Sequence, residues 1–80
     1  PTAIEDISVL GIVVYPNPTK DIITIETRLQ VKIEVHDMMG RLFSVSENIK
    51  HLDLSNLSKG IYNLSIIYNN KRYIKQIIKQ

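Results

Sequence analysis

The 80-residue sequence has no cysteine, so neither a disulfide nor a thiolate metal site can support the fold, and an apolar core must supply its stability alone. The redox compartment is left open by the same absence. No stretch approaches the roughly 18–20 apolar residues that span a bilayer, and no basic-then-apolar leader opens the chain, so a membrane-spanning protein is not expected. The three glycines, Gly11, Gly40 and Gly60, are too scattered to cradle a phosphate. The spacings G-x-S-x-G, H-E-x-x-H, the P-loop and the EF-hand are all missing, and an enzyme is not expected. No tryptophan is available for a sugar-stacking platform. Initiator methionine is also lacking at Pro1, which reads as a piece of a longer or processed polypeptide.

Carboxylates are missing from the last third. All eight acids lie at or before Asp53, whereas Lys59, Lys71, Arg72, Lys75 and Lys79 follow it. The net charge of +2 is too small to argue for nucleic acid. A cationic final third has two readings, lysines that keep edge strands from unwanted pairing and a docking surface.

What the chain does have is aliphatic: Ile, Leu, Val and Phe43 make up 28 of 80 residues, enough for one compact core. These residues come in short runs with a period of 2, separated by turn signals, and no long window has a helical period. Strands are expected over Val9–Tyr15, Asp21–Glu26, Val31–His36, Arg41–Glu47, Ile49–Leu54, Ile61–Tyr68 and Arg72–Lys79. Pro16 and Pro18 end the first, because neither can donate to a ladder. Gly40 serves a turn that needs φ > 0. Leu57 is expected to pin the crossing segment 54–60, and Asn69-Asn70 to form a tight hairpin turn. Seven short strands with two apolar faces to cover give an all-β, seven-stranded β-sandwich. Residues 1–8 read as a linker.

Candidate chemistry is thin. His36 and Asp37 are neighbours on a strand and point to opposite faces, so they cannot form an oriented dyad, and His36 is expected at the surface. His51 and Asp53 share a face but lack a third metal ligand. Tyr62 falls on the apolar parity of its strand and reads as core with its hydroxyl at a rim.

Five motifs occur in order: Val14-Tyr15-Pro16-Asn17-Pro18-Thr19; Asp21-Ile22-Ile23-Thr24-Ile25; Val31 to Arg41 with Asp37-Met38-Met39-Gly40; Leu52 to Leu64 with Lys59-Gly60-Ile61-Tyr62; and Lys75-Gln76-Ile77-Ile78-Lys79-Gln80. Together, over roughly Val9 to Gln80, they resemble the C-terminal sorting domain of proteins exported by the type IX secretion system of Bacteroidetes. Lys20 and the bulky Met38-Met39 pair depart from the usual pattern. The resemblance implies a Greek-key, Ig-like sandwich over residues 9–80 at the end of a larger, covalently linked cargo. It implies no cofactor and no catalysis. Its partners would be the outer-membrane translocon and a sortase-type surface protease that cuts upstream, near Pro1 to Ser8, leaving the cargo secreted or at the cell surface. Translocon recognition would map onto Gly60, Tyr62, Lys75, Lys79 and Gln80, with Pro16, Asn17, Pro18, Gly40 and Gly60 shaping the turns. If the last strand lies at a sheet edge, its free backbone could add to a receptor sheet while Lys75 and Lys79 point to solvent. The alternative is a β-sandwich binding or adhesion module retained on an extracellular enzyme or adhesin.

Overall fold

The computed structural model describes the backbone of residues 4–80 and the side chains from Ile7 onward. Its strands are β1 (Ile4–Asp6), β2 (Val13–Tyr15), β3 (Ile22–Glu26), β4 (Lys32–Asp37), β5 (Leu42–Glu47), β6 (His51–Asp53), β7 (Gly60–Tyr68) and β8 (Lys71–Lys79). They form a five-stranded sheet in the order β1-β8-β7-β4-β5 and a three-stranded sheet in the order β2-β3-β6. The chain leaves β3 for the β4–β5 hairpin in the other sheet, returns to lay β6 beside β3, and crosses again to place β7 between β4 and β8. This is the Greek-key, Ig-like sandwich expected from the sequence, with β1 added as an eighth strand. No helix is long and apolar enough to cross a membrane among the described residues.

Period-2 patterning builds the core. Ile23 and Ile25 from β3, Ile33 and Val35 from β4, Leu52 from β6, Tyr62, Leu64 and Ile66 from β7, and Tyr73 and Ile77 from β8 meet between the sheets. Burying each aliphatic chain contributes about 1.5–3 kcal/mol against a total stability of only some 5–15 kcal/mol. Ile22 faces outward on the opposite parity and is exposed. Asn69 and Asn70 take φ of 52° and 62°, the mirror-image geometry that lets a two-residue turn join twisted strands, and Tyr68 pairs with Lys71 across it.

Two expectations change. Val9–Tyr15 is not one strand: Ile7–Leu10 forms a 3-10 turn that closes on Gly11, whose N–H donates to the Ser8 carbonyl at 3.0 Å, and β2 begins only at Val13. Gly11 sits at φ +73°, which breaks an extended run that the apolar side chains alone would continue. Of the segment read as a linker, Pro1 to Ala3 lies outside the described residues, whereas Ile4–Asp6 is β1 and Ile7 is buried. The crossing segment is pinned as expected by Leu57, half-buried against the core with its N–H donated to the Leu54 carbonyl at 3.0 Å, and Leu54 itself is buried beside it.

Candidate recognition surface

The C-terminal strand and the residue after it carry Lys75, Lys79 and Gln80, three of the five recognition candidates, so the two faces and the outer edge of β8 define the candidate site. A two-residue turn fixes which backbone groups face which way: odd-numbered residues of β8 pair with β7, and the N–H and C=O of Arg72, Ile74, Gln76, Ile78 and Gln80 face outward. That edge is not free. Parallel pairing with β1 sets Ile4 opposite Arg72, Glu5 opposite Tyr73 and Asp6 opposite Ile74. Farther along, the Asn17 side chain takes over: its Nδ2 donates to the Gln76 carbonyl at 2.9 Å and its Oδ1 accepts the Ile78 N–H at 3.0 Å. One carboxamide thus supplies the donor and acceptor that a peptide group of a neighbouring strand would supply. Thr19 continues the ladder, donating its N–H to the Ile78 carbonyl at 2.9 Å and accepting the Gln80 N–H at 2.7 Å.

The Pro-Asn-Pro signal explains itself here. Pro16 and Pro18 have no N–H to offer a ladder, so the chain crosses from β2 toward the other sheet with only Asn17 between them to bond sideways. Pro16, Asn17 and Pro18 are exposed, whereas Thr19 is buried, its hydroxyl donating to the Ile22 carbonyl at 3.1 Å. The last strand is therefore not the open edge that strand addition requires: Asn17 and Thr19 occupy the segment from Gln76 to Gln80, and β1 lies beside Arg72 to Ile74. The long edge of this sheet that bears no further strand among the described residues belongs to β5.

Side-chain parity places Tyr73, Lys75, Ile77 and Lys79 on the inner face of β8. Lys79 is accordingly buried, contrary to its expected solvent position, with Nζ donating to the Gln80 carbonyl at 3.2 Å and lying 4.0 Å from Asp21 Oδ1. Lys75 is half-buried opposite Leu64, and Gln80 is exposed. Gly60, exposed, opens β7 directly opposite Lys79. Tyr62 is core, as its parity implies; its hydroxyl donates to the Ser58 carbonyl at 2.7 Å, and Phe43 meets its ring edge-on at 5.9 Å between centroids. Gly60, Lys79, Gln80 and the Asn17–Thr19 clip meet at one end of the molecule, and Lys75 stands apart near the middle of β8.

On the outer face of the five-stranded sheet Glu34 collects the cations. Arg72 reaches it at 3.0 Å, and Lys32 and His36 at 3.6 Å. Burial alone would raise the Glu34 carboxyl, but the hydrogen bond and charge of Arg72, with Lys32 and His36 behind them, hold it below its ordinary range. His36 is half-buried in this cluster. With Arg72 on Glu34 and Lys79 beside Asp21, the cationic final third presents chiefly Lys59, Lys71 and Lys75. At the β4–β5 turn Asp37 Oδ1 accepts the N–H groups of Met39 and Arg41, both at 2.9 Å, and Oδ2 accepts Arg41 Nε at 2.7 Å. Gly40 completes this turn at φ +87°. Partial burial raises the Asp37 carboxyl, and the Arg41 and Met39 bonds outweigh it, so it too lies below its ordinary value.

The exposed apolar residues Ile61 and Ile78 were not singled out by the sequence, although they stand directly opposite one another on the outer face. Alternation from Tyr62 and Ile77 would have found them. On the other sheet an open groove of about 630 Å³ runs past Val13, Thr24, Glu26, Arg28 and His51. Its lining includes no tyrosine or phenylalanine on which a sugar ring would stack. No curated protein matches the chain. The model of one family, the secretion system C-terminal sorting domain, matches residues 13–80, from the start of β2 to the residue that follows β8. The chain belongs to this family, the C-terminal sorting signals of type IX secretion.

Proposed function

We propose that this sorting signal is read by a component of the outer-membrane translocon as a folded surface rather than as a linear tail. The observation that carries the reading is the clip on β8: with its edge from Gln76 to Gln80 held by Asn17 and Thr19, the terminal strand is offered as part of a sandwich. Family membership makes the chain a type IX secretion signal attached to a cargo, and the cargo secreted or displayed at the cell surface. Within the proposed contact, Lys75 and Gln80 meet the partner. Gly60, Tyr62 and Lys79 act by shaping the end of the sheet on which that contact sits. The domain performs no chemistry in this scheme. A sortase-type protease then separates it from the cargo by cutting upstream, near Pro1 to Ser8.

The test is export of a fluorescent protein carrying a periplasmic signal peptide and residues 1–80, in a Bacteroidetes host with and without a working type IX translocon. Translocon-dependent fluorescence outside the cell supports the reading. Equal retention in the periplasm of both hosts overturns it.

A further inference from the structure

We infer that the first half of the β8 edge, from Arg72 to Ile74, is a strand-pairing site for an extended, acid-bearing segment of a partner protein, and that β1 occupies it as an internal stand-in. The proposal rests on recognition of the domain by a protein partner, and it names the place and the chemistry of that recognition.

Three observations converge on this stretch. The outward backbone groups of β8 divide into two sets: the Gln76 carbonyl, the Ile78 N–H and carbonyl and the Gln80 N–H are bonded by Asn17 and Thr19, and the Arg72 carbonyl and Ile74 N–H lie against β1. The family match begins at Val13, so the Asn17–Thr19 clip belongs to the shared domain while β1 lies outside it. A partner that serves the whole family works with what residues 13–80 build, and on the β8 edge that leaves Arg72 to Ile74. Charge supplies the third observation. β1 reads Ile4-Glu5-Asp6, and it lies in register on a strand that begins Lys71-Arg72 and continues to Lys75. By sequence two of the three β1 residues are acids and the strand beside it opens with two cations, of which Arg72 turns to Glu34 and Lys71 stays exposed; an acid-bearing partner segment would reproduce that charge pattern. Parallel pairing sets the Ile74 N–H and the Arg72 carbonyl against Glu5, so a replacement strand needs only one residue in the position of Glu5 to satisfy both.

Displacement of β1 has a second consequence. The stretch from Ile4 to Asp6 falls within the proposed cleavage segment, and a strand bonded into a sheet is a poor protease substrate until it is released. Binding of the partner at Arg72–Ile74 therefore also presents the junction for cutting.

Hydrogen exchange on the 80-residue chain tests the site first. Glu5→Pro removes a donor from β1; the Ile74 amide is expected to exchange at least tenfold faster, while the Ile78 and Gln80 amides stay protected by Asn17 and Thr19. A synthetic peptide with the sequence of residues 1–8 should restore protection of Ile74 in that variant, and the same peptide with Glu5 and Asp6 replaced by lysine should not. No change at Ile74, or equal action of the two peptides, overturns the proposal. Export of the fluorescent fusion tests its use. Ile74→Pro removes an outward N–H, while the odd-numbered residues that bond β7 keep their donors; it should lower export at least tenfold, and Lys71→Glu, at an exposed position, severalfold, whereas Glu5→Pro should be exported at least as well as the parent. Should Ile74→Pro fail to fold by circular dichroism, Lys71→Glu and Glu5→Pro decide. Parental export of a folded Ile74→Pro, or of Lys71→Glu, contradicts the inference. Failure of the parent fusion itself to leave the cell contradicts instead the reading of the domain as an export signal.

Discussion

Replacing Asn17 by alanine deletes one donor and one acceptor from the edge of β8 while leaving the two flanking prolines in place. Asn17 is exposed, so water takes up part of the loss, and the expected destabilisation is about 1–2 kcal/mol. The Ile78 amide should lose protection against exchange in the same variant. Lys79 calls for a different comparison, because its ammonium lies in the inner parity beside Asp21. Lys79→Glu sets two carboxylates against each other at a covered position and should cost roughly 2 kcal/mol or more. Lys79→Met keeps the stem and should remain folded. A thermal melt of both decides whether an export defect at this position reports recognition or lost structure; if Lys79→Met exports normally, the charge is not what the partner reads.

At the scale of elements, the β4–β5 hairpin isolates a backbone effect. Nothing lies within 4 Å of the position a Cβ at Gly40 would take, yet its φ is +87°. Gly40→Ala should therefore cost about 1–2 kcal/mol through left-handed strain alone, read as a lower melting midpoint with unchanged strand content. Elements were legible where a local rule sufficed. Strict alternation in Val31 to His36 marked β4, and Asn69-Asn70 marked the β7–β8 turn, since both signals sit within a few residues. The beginning of the chain was not legible. Ile7 to Leu10 has strand-like composition, but Gly11 turns it into a 3-10 turn, and β1 depends on pairing with residues about 68 positions away, for which neither strand holds a local sign. Lys79 is a different case, because the signal existed: Tyr73 and Ile77 set the inner parity, and Lys79 continues it. In a cationic stretch the charge of Lys79 points outward while its phase points inward, and the phase decides.

The molecule as a whole should be most stable near neutral pH and weaken on the acid side. Glu34, Asp37 and Asp53 all hold their carboxyls below ordinary values, Asp53 through the backbone and side-chain groups of Ser55. A carboxyl lowered in the folded state stabilises it above the unfolded value and loses that contribution as pH falls through the folded one. The loss should therefore begin near the ordinary values of 4.5 for Glu34 and 3.8 for the aspartates and continue below them. Melting midpoints recorded from pH 7 to pH 3 should fall over that window, and Glu34→Gln should flatten part of the fall. In the proposed reading the same assembly forms the surface by which the domain is recognised. Greek-key crossings bring the segment after β2 to the edge of β8, and that contact joins the beginning and end of the matched region into one surface. The most direct measurement of this claim compares export of two fluorescent fusions in a translocon-competent host, one carrying residues 1–80 and one carrying only Lys71 to Gln80. Export of the first with retention of the second is the expected result; equal export of the ten-residue tail would contradict recognition of a folded surface.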